Sequence, residues 1–110
     1  MFKIIGAAIV VLCSGSAAMA QDTRGAELAS SDRKLNSTYE NLIGQLRPSD
    51  QAALRSAQRA WLRFRDADCT FGWPDRRDCL IQRTDERERQ LRDSLYFDSA
   101  GKLVKLPASR

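Results

Sequence analysis

Along AWLRFRDADC, Ala60–Cys69, ten residues carry guanidinium groups on Arg63 and Arg65, carboxylates on Asp66 and Asp68, and a thiol on Cys69. Two carboxylates could act as acid and base around one bond. At 100° per residue, however, Asp66 falls at about 120° and Asp68 at about 320° from Leu54, so they cannot flank a common group. The thiol could be a nucleophile or a metal ligand. The 110 residues contain no histidine, which removes the usual base for a thiol and the usual nitrogen ligand for zinc. A structural zinc site would need carboxylates or a second chain to complete it. No pairing of nucleophile and base is visible, so the sequence predicts a protein that is not an enzyme and uses no cofactor.

The fate of the thiols depends on where the chain resides. MFK is a short basic start, IIGAAIVVLC an apolar run of ten, and SGSAAMA ends in an A-x-A pattern before Gln21. This is the pattern of a cleaved secretory signal over residues 1–20, too short for a comfortable membrane span. Leu12 precedes Cys13 where a lipoprotein signal would want a small residue. The expectation is a periplasmic or secreted mature chain, Gln21–Arg110, with no stable membrane insertion after cleavage. Cys69 and Cys79 are then the only cysteines left, and in an oxidising compartment they should form a disulfide. Closing so small a ring should stabilise the fold by about 2.5–3 kcal/mol, a substantial share for so small a domain.

Losing Lys3 with the leader reduces 18 basic residues to 17 against 14 acidic ones, a net charge of +3. Acids and bases interleave at helical spacing in DERERQLRD, which reads as a solvated helix surface. A nucleic-acid partner would be announced by a stripe of one sign, and none is expected. Arg55, Arg59 and Arg63 do form a row at four-residue spacing. That row is either solvated surface or a patch for an anionic partner.

Three helices must position these groups. In the first, Leu28, Leu35 and Leu42 recur every seven residues, with Tyr39, Ile43 and Leu46 on the same face. Pro48-Ser49-Asp50 marks a turn in which Ser49 or Asp50 could cap the next helix. The second runs from about Asp50 to Cys69, with Leu54, Ala57, Trp61 and Phe64 on its apolar side. TFGWPD, with Gly72 and Pro74, breaks it. The third runs from about Arg76 to Phe97 and aligns Leu80, Leu91 and Leu95. Short connections make neighbours antiparallel, so the predicted fold is all-α, a small antiparallel three-helix bundle over residues 21–98. Residues 99–110 form a basic, loosely held tail.

Two of these helices place polar residues on the face they should bury. Arg65 and Asp68 lie within about 40° of Leu54, and Thr84 and Arg87 lie as close to Leu80. Buried charges must be paired. The expected network joins Asp68 to Arg87, with Arg65, Thr84 and Tyr39 completing it and Asp32 or Asn36 adding partners. Such a network could fix helix register, or it could line a cleft that meets a ligand.

LNSTYENL (Leu35–Leu42), AQRAWLRFRDADC (Ala57–Cys69) and TDERERQL (Thr84–Leu91) resemble elements of the lysozyme inhibitor LprI-like N-terminal domain family, a likeness covering about Asp32 to Leu95. The resemblance implies a secreted or periplasmic helical domain with a disulfide, whose partner is a protein, a lysozyme or another cell-wall lytic enzyme. Inhibition would require a protruding element that enters a sugar-binding cleft. TFGWPDRRD offers Trp73 as an aromatic anchor and Arg76 and Arg77 as donors to carboxylates. Trp73 could equally fold back to cap the core. A +3 chain would not be steered toward a strongly basic lysozyme, so an acidic lytic enzyme suits it better. The alternative is a periplasmic interaction or envelope-associated module without inhibitory activity.

Overall fold

The computed structural model describes residues 23–106; the expected leader, with Cys13, and residues 107–110 lie outside them. Three helices form where periodicity predicted them: α1 (Thr23–Ile43), α2 (Pro48–Asp68) and α3 (Arg76–Asp93). Among the described residues none of these helices is long and apolar enough to cross a membrane.

The turn between α1 and α2 works differently from the expected Ser49 or Asp50 cap. Pro48 itself opens α2, where its missing N–H is no loss and its fixed φ suits the first turn. Arg47 stands at the cap position without a side-chain capping bond. The Gln51 side-chain amide instead donates to Ile43 O, the last carbonyl of α1, and to Leu46 O in the turn, both at 3.0 Å. At the next junction Gly72 takes φ 82°, a left-handed conformation that suits glycine. Asp75 then caps α3, its carboxylate accepting from Arg77 N at 2.9 Å.

The helices run up, down and up. Arg24 meets Asp78 at the start of α1 and α3, Thr38 meets Glu88 further along, and Leu46 bridges to Asp98 at the far end. α2 returns between these levels: Cys69 faces Cys79, Arg65 faces Thr84 and Gln58 faces Arg87. α1 and α3 are the closely packed pair. Within α2 only Gln58 is buried.

The third helix is shorter than the leucine spacing suggested. It stops at Asp93, and Leu95–Phe97 forms a strand, β1, paired antiparallel with β2 (Leu103–Lys105) in the register Leu95↔Lys105, Tyr96↔Val104, Phe97↔Leu103. The turn is built by Asp98, whose Oδ1 accepts from Ala100 N and Lys102 N at 2.9 Å each, and by Gly101 at φ 80°. The stretch read as a loose tail therefore supplies, as far as Leu106, one arm of a hairpin. Leu106 joins Leu35, Leu42, Leu46 and Leu91 in the main core, with Tyr39, Leu54, Trp61 and Tyr96 packed against it. Leu95 alignment with Leu80 and Leu91 was coincidental: it is 63% exposed.

A second, smaller cluster holds Cys69, Cys79 and Leu80, with Leu28 and Trp73 against them. A layer of polar side chains lies between the two clusters.

Candidate functional site

The polar layer begins with Arg65. Its Nη1 donates to Thr84 Oγ1 at 3.0 Å and to Asp32 Oδ1 at 3.2 Å, so one planar guanidinium joins α2 to both other helices. The Thr84 hydroxyl, fully buried, donates in turn to Leu80 O at 2.6 Å, leaving its lone pairs for Arg65. Trp61 stands beside this group: the guanidinium carbons of Arg65 and Arg87 lie 5.4 and 6.0 Å from its ring, within cation–π range.

The expected Asp68–Arg87 pair does not form. Asp68 accepts from Arg83 Nε at 2.7 Å, and Arg87 Nε donates to Gln58 Oε1 at 3.0 Å. The reason is axial distance. Arg83 lies one turn beyond Cys79, whereas Arg87 lies two turns beyond it, level with Trp61 and Gln58. The hydrogen bond from Arg83 to Asp68 raises the Arg83 pKa, while burial without a carboxylate partner lowers that of Arg87. Tyr39 packs on the core rather than joining the network.

The burial face of α2 is also rotated from the expected one. Phe64 is 57% exposed and Ala57 is exposed, while Gln58, Trp61 and Arg65 turn inward. On the helical wheel Ala57 and Phe64 stand to one side of the meridian that Leu54, Gln58 and Arg65 define. Glu88 is a further buried group that the sequence reading passed over. It accepts from Thr38 Oγ1 at 3.3 Å and pairs with Lys34 Nζ at 3.5 Å and Arg92 Nε at 3.6 Å. Its signal was present: Glu88 follows Thr84 by four residues and precedes Leu91 by three, on the stripe that α3 turns to α1.

The inter-cysteine loop is anchored at both ends. Cys69 and Cys79 form the disulfide, with Cα atoms 5.6 Å apart. Asp68 lies close enough to both sulfurs to suggest a metal group, but sulfurs joined to each other offer no thiolate. Trp73 folds back against the disulfide cluster. Arg77 closes on Asp75, with Nη2 and Nε at 3.0 and 3.2 Å from its carboxylate oxygens, and Arg76 Nη2 donates to Asp66 O at 3.3 Å. Hydrogen bonds from Arg77 hold the Asp75 carboxyl down to a pKa of about 2. The side chain that projects is Phe71, 72% exposed.

A groove of about 500 Å³ opens between α1 and α2. Leu35, Asn36 and Tyr39 line one wall, and Arg55, Arg59 and Leu62 the other.

The architecture is that of a disulfide-stapled helical domain whose surface features suit binding. The chain belongs to the lysozyme inhibitor LprI family, which matches residues 13–91 and so spans the disulfide, the polar layer and the groove. The family is one of inhibitors rather than enzymes, in keeping with a non-catalytic protein. Neither the comparison with curated proteins nor that with solved structures returns a match.

Proposed function

We propose that the mature chain, Gln21–Arg110, is exported and inhibits a lysozyme or related cell-wall lytic enzyme by occupying its cleft. Membership of the LprI family supports the class of activity. The observation that carries the mode of binding is Phe71, projecting at 72% exposure from a loop closed at its base by Cys69–Cys79. A loop held in one shape before contact loses little conformational freedom on binding, which favours affinity. Phe71 takes the anchoring role that the sequence suggested for Trp73. Trp73 supports the loop from beneath, and Arg77 does so through Asp75. Arg76, half-exposed beside Asp66, is the cation placed to reach a cleft carboxylate.

The test is the rate of cell-wall lysis by a panel of acidic and basic lysozymes, with oxidised mature protein and its Phe71→Ala and Arg76→Ala variants. Inhibition should be strongest for acidic enzymes, and Phe71→Ala should weaken it by about tenfold or more with the melting temperature unchanged. Absence of inhibition across the panel refutes the reading.

A further inference from the structure

Two of the three sequence elements that mark the family converge on one place. Leu35, Asn36 and Tyr39 come from LNSTYENL, and Arg59 from AQRAWLRFRDADC; together with Arg55 and Leu62 they line the groove between α1 and α2. A purely architectural role would require their polar groups to be used inside the protein. Among the described residues, the Asn36 amide, the Tyr39 hydroxyl and the guanidinium groups of Arg55 and Arg59 make no hydrogen bond and no ion pair, unlike the tightly paired polar layer beside them. The carboxylate in the groove, Asp32, is engaged by Arg65 at 3.2 Å. Arg65 in turn keeps its buried Nε without a hydrogen-bond acceptor, the nearest carboxylate oxygen being that of Asp66 at 3.5 Å.

We infer that this groove binds a carboxylate-bearing ligand of about the size of a sugar acid or dipeptide, whether free or as the end of a longer chain. The groups left over include two guanidinium groups one helical turn apart, each a planar fork of the kind that pairs with a carboxylate. Leu35 and Leu62, on opposite walls, supply apolar contact, and the Asn36 amide and Tyr39 hydroxyl can address an amide or hydroxyl of the ligand body. The groove's volume of about 500 Å³ suits a small ligand rather than a broad surface. Its concavity and its mixture of apolar and donor groups argue against a simple electrostatic patch. The site is separate from the Phe71 loop, and its occupancy does not depend on lysozyme inhibition.

The experiment is a titration of the ¹⁵N-labelled mature, oxidised chain followed by backbone amide shifts. The probes are glucuronate against glucose, and acetyl-alanyl-alanine against its C-terminal amide, with inorganic phosphate as the bare anion. At least one carboxylate probe should shift residues 35–39 and 55–62 saturably, with Kd on the order of 1 mM or tighter; which arm responds identifies the source. Arg55→Gln with Arg59→Gln, both exposed positions where the fold should tolerate change, should weaken binding by about tenfold, and Tyr39→Phe by a few-fold. The inference is overturned if no carboxylate probe saturates at about 10 mM. It is equally overturned if the neutral counterparts or phosphate act as well, or if the double variant binds like the wild type.

Discussion

Arg65 Nη1 lies 3.0 Å from Thr84 Oγ1 and 3.2 Å from Asp32 Oδ1, so a single side chain on the central helix is bonded to both of its neighbours. Because Gln58 is the one buried residue of α2, the seating of this helix depends on such polar contacts more than on apolar area. The register of the bundle therefore rests on partners that each accept one particular donor.

Thr84→Val keeps the shape of a fully buried side chain and removes the acceptor. The variant should lose about 1–3 kcal/mol, because a buried guanidinium is left short of a partner. For a chain of this size each kcal/mol lowers the melting temperature by about 4–8 °C. Thr84→Ser should restore most of the loss, and thermal unfolding followed by circular dichroism measures both.

Replacing Cys69 and Cys79 together by alanine should lower stability by about 2–3 kcal/mol. Urea unfolding of the oxidised protein, with and without reductant, provides the comparison, and reductant should leave the double variant unaffected.

Leu106→Ala tests whether the hairpin belongs to the core. Leu106 is 6% exposed and packs with Leu35, Leu42, Leu46 and Leu91. Its truncation should cost about 2–4 kcal/mol in urea unfolding, whereas a detached tail would show no change.

Asp75 gives a defined dependence on pH. Its carboxyl falls from 3.8 to about 2, first through the side-chain hydrogen bond from Arg77 and then through the backbone N–H of the same residue. A carboxyl more acidic in the folded than the unfolded chain favours folding while it is ionised. The contribution is complete above 3.8 and is lost as pH falls through about 2. An NMR titration of the Asp75 carboxyl should show that low midpoint, and Arg77→Ala should move it back toward 3.8.

Much of this architecture was legible because it is local. The seven-residue spacing of Leu28, Leu35 and Leu42, the breaks at Pro48 and at Gly72-Trp73-Pro74, and the cysteine pair each act over a few residues, and the helices formed there. The hairpin was legible in principle. Leu95-Tyr96-Phe97 and Leu103-Val104-Lys105 flank a turn opened by Asp98 and closed by Gly101, a pattern of strands and turn. Leucine spacing on α3 masked it, since periodicity does not show where a helix must stop. Phe64 was misplaced for a related reason: a wheel identifies candidate faces, and on α2 the polar Gln58 and Arg65 share the inward meridian with Leu54 and Trp61 while Phe64 lies off it.

The sequence by itself determined three helices, the loop between the cysteines and the presence of charge on faces that pack, because backbone propensity and side-chain period are properties of neighbouring residues. Only the tertiary structure decided that Asp68 meets Arg83, that Arg87 meets Gln58 and that Phe71 rather than Trp73 projects. It also decided that Asn36, Tyr39, Arg55 and Arg59 share an open groove. Those choices depend on the axial register and rotation of one helix against another. A shift of a single turn, about 5.4 Å, exchanges every long-range partner while leaving each helix unchanged.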